Sequence, residues 1–391
     1  MRTYRQFQTT KDEKSGVYIC SGVSLFDIMI MNMNENFENI AISSRIRLAR
    51  NISGFNFFTK LREDSDAVFI IDSVKKVIDK YGNFDFFCLK DLSLNECNAL
   101  LERHIISKEL IENKDISAVA MSDDEHLIVM INEEDHIREQ CIVNGFNLYK
   151  PYREIKTLDN LLLSEVDIAY SNDYGFITSC PSNLGTGMRA SVMLFLPALE
   201  RNGDIDLVKN EAKQQGFTLR GLYGEGSKTF GSFYQISNQN SLGLSEEEII
   251  DNVSDYVYNI CEMELSARED ILATNYDTLI DEIYRALGTL QECFLLEENE
   301  MISLLSLVKF GDALGFLKIL DYKGFQRLYV EGASANLKEI ENFSENIKEN
   351  HTRSEYISRK IKELVKKWFY FSRLGNNFLK LKPKGGDRLW L

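Results

Sequence analysis

Nothing in this chain runs apolar for the ~18 residues that a membrane-crossing helix needs. The stretch Val17 to Met33 is interrupted by Asp27 and Asn32, and no convincing secretion leader precedes it, so the cytoplasm is the expected compartment and no membrane association is expected. Basic residues are in deficit: 45 Lys and Arg stand against 60 Asp and Glu, a formal charge of -15 at pH 7. Nonspecific nucleic-acid binding rests on clustered positive charge, so direct binding of nucleic acid is not expected and basic partners are more natural. The seven cysteines are scattered without a Cys-x-x-Cys spacing, which excludes a disulfide scaffold, predicts reduced thiols and leaves no dedicated metal site made by protein ligands alone. The chain has four histidines (His104, His126, His136 and His351). None is marked as base or orienter for Cys180, which disfavours covalent catalysis. There is also no Gly-x-x-x-x-Gly-Lys-Ser/Thr loop and no protein-kinase signature set, and Gly185-Thr186-Gly187 lacks the strand-to-helix setting of a dinucleotide fingerprint.

What is present is enough apolar material for real cores, 44% of 391 residues, in a chain long enough for two or three domains. Alternating patterns predict strands over Ser43–Arg47, Ala118–Met121, His126–Ile131, Phe176–Ser179, Phe217–Leu219 and Ser232–Ser237. From Ser245 the period changes. Ser245 and Glu248 form a capping-box pair, and Ile249, Val253, Val257 and Ile260 recur at helical spacing. Helical patterns continue over Tyr276–Leu287, Leu304–Leu320, Leu337–Ile347 and Ser354–Phe371 with almost no proline. The expected layout is a partly flexible N-terminal arm (1–30), a catalytic domain (31–255), a helical domain (256–370) and a basic tail (371–391).

Three segments concentrate glycine, arginine and carboxylate: Asn132–His136 with Arg138, Cys180–Arg189, and Arg220–Glu225. All fall on loops between predicted strands. A nucleoside triphosphate brings several anionic oxygens that must be held in line with a nucleophile, and arginines with loop amides suit that task. Period-two alternation puts Arg45 and Arg47 on one strand face; with Arg138, Arg189 and Arg220 they could hold a triphosphate, although lone strand arginines are usually solvated or paired. Glu134 and Glu225, from different loops, could accept the N–H bonds of a guanidinium and draw off a proton. The bland alternative for Glu133–Asp135 is a solvated acidic turn. Cys180 is either a thiolate activated by its donor-rich loop or a buried, inert thiol. His104 is either a helix-end histidine or a partner for a purine ring.

Taken together, Ser43-Ser44-Arg45-Ile46-Arg47-Leu48-Ala49-Arg50, Asn132 to Arg138, Cys180 to Pro197 and Arg220 to Gly243 resemble the phosphagen (guanidino) kinase family. The nearest likeness is to its bacterial branch, the McsB-type protein-arginine kinases. That resemblance implies an α+β fold, a curved antiparallel sheet flanked by helices, followed by an all-helical C-terminal domain that mediates dimerisation. It implies ATP and Mg²⁺ as cofactors, and Ser43, Arg45, Arg47, His104, Arg138, Arg189 and Arg220 as the nucleotide and phosphate site. Asn183, Gly185, Thr186 and Gly187 would form the supporting loop. Glu134, Glu225 and Cys180 would be catalytic, and Glu133 would hold magnesium through water. Arg353, within Glu349–Ser354, is the remaining match to a phosphoarginine-binding element.

Only about forty residues precede Ser43, too few for the domain that closes over small guanidines. The resemblance therefore implies that the substrate is arginine within proteins, phosphorylated to mark them for degradation or to regulate a stress-response repressor. It also implies a zinc-binding activator protein, a heat-shock repressor and a Clp ATPase-protease as partners, and a homodimer. The alternatives are a kinase of free arginine or another small guanidine, and a non-catalytic adaptor for arginine-rich or phosphoarginine proteins.

Overall fold

The computed structural model describes residues 10–11, 18–19, 37–61, 64–223, 230–341 and 346–367. The basic tail and Glu225 lie outside the described residues. So does the predicted arm, apart from two short strands, β1 (Thr10–Lys11) and β2 (Tyr18–Ile19), which pair antiparallel.

The centre of the molecule is an eight-stranded sheet. Its strands are β3 (Ala41–Arg50), β4 (Phe84–Cys88), β5 (Ala118–Ser122), β6 (Leu127–Ile131), β7 (Ile137–Asn144), β10 (Met188–Phe195), β11 (Phe217–Tyr223) and β12 (Phe230–Asn238), while β8 (Tyr170–Ser171) and β9 (Gly175–Phe176) form a separate small hairpin. The order is β11-β12-β10-β3-β7-β6-β5-β4, and every neighbouring pair is antiparallel. In β3, Ser44, Ile46, Leu48 and Arg50 are buried while Ser43, Arg45 and Arg47 are partly exposed. The sheet therefore has an apolar back and a polar front.

The back is covered by α1 (Asp64–Tyr81), α4 (Tyr149–Glu165) and the long α7 (Glu246–Thr274). Val74, Leu158 and Val253 from these helices meet Ile46, Leu48, Val192 and Leu194 in one core. At the β5–β6 end of the front, α2 (Leu94–Glu102) and α3 (Lys108–Glu112) cover Val119, Ile128 and Met130 with Cys97, Leu100 and Leu110. Helices α5 (Pro197–Asn202) and α6 (Ile205–Gln214) lead into β11. The predicted start of helical structure at Ser245 is closed by both halves of a capping box with Glu248.

The remaining helices are α8 (Tyr276–Glu292), α9 (Glu298–Ala313), α10 (Tyr322–Glu331), α11 (Ser334–Glu341) and α12 (Asn346–Leu364). Three expectations change here. The helix predicted over 304–320 ends at Ala313, because Gly315 turns the chain at φ +77 and Leu317–Ile319 becomes a strand, β13, paired with β14 (Val365–Lys367). The helices predicted over 337–347 and 354–371 fall instead at 334–341 and 346–364. The strand predicted over 176–179 shrinks to β9. The Cys180–Gly187 loop feeds β10, which lies between β3 and β12 inside the sheet.

Candidate active site

Residues opposite one another in antiparallel strands project to the same face. Arg47 lies opposite Arg189 on β10 and Gln140 on β7, Ala49 opposite Arg138, and Arg45 opposite Ser191. Ser191 is in turn opposite Ser237, and Gln235 opposite Arg220. This register alone carries Arg45, Arg47, Arg138, Arg189 and Arg220 to the front of the sheet. Arg220, on edge strand β11, is the exposed member.

Most of their hydrogen-bond partners are neutral. Arg45 donates to Gln235 Oε1 at 2.7 Å, and to Gln140 Oε1 and Ser191 Oγ at 3.4 Å each. Arg189 Nε donates to Ser237 Oγ at 3.2 Å, and the buried Nε of Arg47 has no hydrogen-bond partner. Burial, then repulsion from Arg138 and Arg189, pulls the Arg45 guanidinium down to about 10. Burial and the same neighbours, joined by Arg45, hold Arg47 well below the ordinary arginine value. Arg189 is also lowered, by burial and by Arg220. Arg138 is the exception. Burial opposes its charge, but Glu133 accepts from Nη1 at 2.7 and 2.5 Å and holds its pKa above the usual value. The front therefore carries positive charge in excess of its counterions, the condition that favours a polyanion.

The β6–β7 turn brings carboxylates to this face. Asn132, at φ +62, spans the carbonyls of Ala67 and Ile116 at 3.0 and 2.9 Å. Asp135 accepts from Asn51 Nδ2 and the Ser179 amide, both at 2.6 Å, and Ser179 Oγ donates to the Glu134 carbonyl at 2.9 Å. The turn is thereby tied to the segment entering Cys180. Glu134 itself is half-buried. Burial, then the neighbouring Asp135 charge, pushes its carboxyl above the ordinary range, the direction that suits a proton acceptor. Cys180, whose Sγ lies 3.1 Å from Ser182 Oγ, and Glu134 are both within electrostatic reach of Arg189.

The glycine-rich loop is held from beneath. Gly185 and Gly187 have φ +108 and +67, Thr186 Oγ1 accepts from the Met188 amide at 3.1 Å, and the Asn183 amide donates to the Cys180 carbonyl at 3.0 Å. Arg50 Nη1 donates to the Thr186 carbonyl at 3.0 Å. Beside the arginines, a cavity of about 230 Å³ is lined by Ser43, Arg45, His104, Ile142, Met193 and Phe233, with Lys309, Tyr329 and Val330 closing it from the C-terminal helices. His104 has φ +60, and its carbonyl accepts from Gln140 Nε2 at 3.1 Å. Burial and the Arg45 charge bring its imidazole down to about 4, so it is neutral at physiological pH. A partly apolar cavity with a neutral imidazole, next to an arginine cluster, has the chemistry of a nucleobase beside its phosphates.

Arg353 is elsewhere. It is buried in the C-terminal helices and donates to the carbonyls of Gly332 and Leu296, to Asn350 and Ser334, and to Glu349 Oε1 at 2.5 Å. All three of its nitrogens are engaged, so an added anion would have to displace Glu349. Sequence reading missed Gln140, Ser191, Gln235 and Ser237, although strand parity places them beside the arginines. It also missed Asp159, which grips Arg50 at 2.9 and 3.0 Å across 109 positions, and for which no local signal exists.

Comparison with known proteins adds independent information. The ATP:guanido phosphotransferase C-terminal catalytic domain model matches residues 68–267, and the protein-arginine kinase McsB C-terminal domain model matches residues 276–369. The protein-arginine kinase of Clostridium acetobutylicum is 42% identical over 320 residues, covering 80% of this chain and 93% of that one. The protein-arginine kinase of Clostridium tetani is 39% identical over 332 residues, covering 84% and 97%. Among solved structures, the duplicated taurocyamine kinase of Schistosoma mansoni with bound transition-state-analogue components superposes with a TM-score of 0.55 at 20% identity, over 72% of this chain and 47% of that one. A lombricine kinase superposes with a TM-score of 0.52 at 23% identity, over 60% and 68%. At these identities the two structures speak to the fold, a flanked antiparallel sheet with helices following. Within the described residues, no helix is long and apolar enough to cross a membrane.

Proposed function

Because the chain belongs to the ATP:guanido phosphotransferase family, and within it to the protein-arginine kinases, we propose that it transfers the γ-phosphoryl group of ATP to the guanidinium of arginine residues in proteins. The observation that carries this reading is the front of the sheet, where burial, and then repulsion from one another, lowers the pKa of clustered arginines that are short of counterions. A triphosphate supplies the missing negative charge.

In this reading Arg45, Arg47, Arg138, Arg189 and Arg220 hold the phosphates, Ser43 and His104 border the nucleobase and ribose, and the Asn183–Gly187 loop shapes the phosphate-side wall. The substrate guanidinium lies against Glu134, with Glu225 as its second carboxylate and Cys180 beside it. A guanidinium nitrogen attacks the γ-phosphorus, Glu134 takes the proton released from that nitrogen, and the bond from phosphorus to the bridging oxygen breaks to release ADP. The arginines, fixed before the reaction, stabilise the charge that moves onto the leaving oxygen. Glu133 fits a place near magnesium. It is a buried carboxylate whose pKa Arg138 lowers against the effect of burial, a hard oxygen donor that can meet a magnesium-bound water. When bound, that ion neutralises phosphate charge.

The same reading extends to purpose and partners: marking proteins for degradation or regulating a stress-response repressor, with a zinc-binding activator protein, a heat-shock repressor, a Clp ATPase-protease and a second copy of this chain as partners, in the cytoplasm. The experiment is incubation with MgATP and an arginine-rich protein such as casein, beside free arginine, with acid-labile phosphate located by mass spectrometry. Phosphoarginine is expected in the protein alone. Glu134→Gln should lower kcat by about 10²- to 10⁴-fold, and the acid limb of the wild-type rate profile should lie above the ordinary glutamate range, since activity falls as Glu134 is protonated and its pKa is raised. Equal labelling of free arginine would show a metabolite kinase, and no transfer even with added activator would show an adaptor.

A further inference from the structure

On the back of the sheet, away from the arginines, three ligand-type atoms converge. His126 lies just before β6, Cys141 is in β7 opposite Leu127, and Glu154 is on α4. The His126 nitrogen, the Cys141 sulfur and a Glu154 oxygen all lie within 4.8 Å of one another. His126 Nε2 is 3.0 Å from Glu154 Oε2, and Cys141 Sγ is 3.6 Å from the same oxygen. Tetrahedral zinc with ordinary bond lengths separates nitrogen from oxygen by about 3.3 Å and sulfur from oxygen by about 3.5 Å. The two spacings to the Glu154 oxygen come within about 0.3 Å of these values, and the nitrogen and sulfur lie within 4.8 Å of each other.

The other imidazole nitrogen points to a ligand as well. His126 Nδ1 is hydrogen-bonded to Asp124, whose carboxylate also accepts from Ser122 Oγ at 2.8 Å. A carboxylate behind a histidine fixes the tautomer with its proton on Nδ1 and turns the Nε2 lone pair outward, the usual support of a metal-bound imidazole. Here that lone pair faces a carboxylate oxygen at 3.0 Å. Two acceptors at that distance call for a proton or a cation between them. Cys141 is buried, while His126 and Glu154 side chains are each 34% exposed. Both also line a cavity of about 380 Å³ shared with Arg153 and Ser122, so a fourth coordination position would open onto an accessible space.

We propose that His126 Nε2, Cys141 Sγ and the Glu154 carboxylate form a binding site for a thiophilic divalent cation, with zinc the best match to a nitrogen, sulfur and oxygen set. Thiolate and carboxylate together neutralise the ion. On binding, the sulfur–metal bond replaces the S–H bond that now points at Glu154, and one proton leaves to solvent. The bound ion staples the β6–β7 hairpin to α4. Because β7 also carries Arg138 and Gln140 to the front, the staple braces the strand that presents them. The scattered cysteines concealed this site: its ligands come from three elements, with no paired spacing to reveal them.

The test uses the metal-stripped full-length chain, titrated with Co²⁺ and then Zn²⁺. One Co²⁺ per chain should bind with a thiolate-to-cobalt charge-transfer band in the near ultraviolet. Zn²⁺ should displace it and raise Tm. The band should vanish in Cys141→Ser, and affinity should fall at least about tenfold in His126→Gln and in Asp124→Asn. The last two positions are exposed enough to substitute without threatening the core, so they decide the matter if Cys141→Ser does not fold. Absence of a thiolate–cobalt band, or binding unchanged in both His126→Gln and Asp124→Asn, overturns the proposal.

Discussion

Lys309 shows, at the scale of one residue, what a charge costs in this interior. Its Nζ is buried without a hydrogen-bond partner and lies 4.3 Å from the centre of the Tyr322 ring and 5.1 Å from that of Phe195. Burial, then repulsion from Arg268, brings its pKa from 10.5 down to about 7. A lysine whose folded pKa is lowered binds its proton more weakly in the folded state, so it destabilises the fold fully below about 7 and not at all above 10.5. Lys309→Met keeps the stem and removes the charge. It should stabilise the protein by roughly 4 kcal/mol at pH 7, and the gain should shrink as pH rises toward the pKa of free lysine. Chemical denaturation at a series of pH values measures this directly; a gain independent of pH would mean that packing, not charge, is responsible. The front arginines face the same penalty but keep their protons near neutral pH, so in the proposed reaction their relief comes from the nucleotide. A site ready for a polyanion is thus less stable without it.

At the scale of elements, β3 and the loop before β10 meet through Arg50. Its guanidinium grips Asp159 on α4, donates to the carbonyls of Ala49 and Thr186 at 2.9 and 3.0 Å, and lies 3.7 Å from the centre of the Phe176 ring. Gly187 threads through this arrangement: a Cβ there would stand 2.4 Å from Arg50 Nη1 and 2.6 Å from the Ala49 carbonyl, at φ +67. Gly187→Ala should therefore cost about 1–3 kcal/mol. It should also lower kcat/KM for ATP, because Arg189 follows two residues later. A Tm unchanged from wild type would show that the loop can shift without strain.

Such junctions mark the limit of what the sequence made legible. Strand parity placed Arg45 and Arg47 on one face, and the Ser245 capping pair located the start of α7, because these signals are local. The end of α9 was misread because Phe316, Leu317 and Ile319 continue an apolar pattern that Gly315 bends into a strand. Asp159, and the His126, Cys141 and Glu154 cluster, depend on pairings across the sheet that no window of sequence contains. Glu134 was legible as chemistry, but its raised pKa follows from burial that only the fold supplies.

The whole molecule carries a formal charge of -15, yet its sheet presents clustered arginines, so the two signs are separated between the general surface and one face. An anionic nucleotide is drawn to that face while basic segments of other proteins are drawn to the surroundings, an arrangement that suits a kinase whose proposed acceptor is arginine. The same face is not finished by the catalytic sheet alone. Lys309 from α9 and Gln326, Tyr329 and Val330 from α10 wall the cavity that Arg45 and His104 border, and Ser306 of α9 donates to the Gly231 carbonyl in β12 at 2.8 Å. If this cavity holds the nucleobase, the C-terminal helices govern nucleotide affinity by contact. Val330 is only partly buried, so Val330→Trp can project into the 230 Å³ cavity with little cost to the core. It should raise KM for ATP at least about tenfold, the loss of roughly 1.4 kcal/mol of binding, while leaving KM for the protein substrate and the Tm near wild type. Unchanged ATP kinetics would place the nucleobase outside this cavity and confine the C-terminal helices to a structural role at the front.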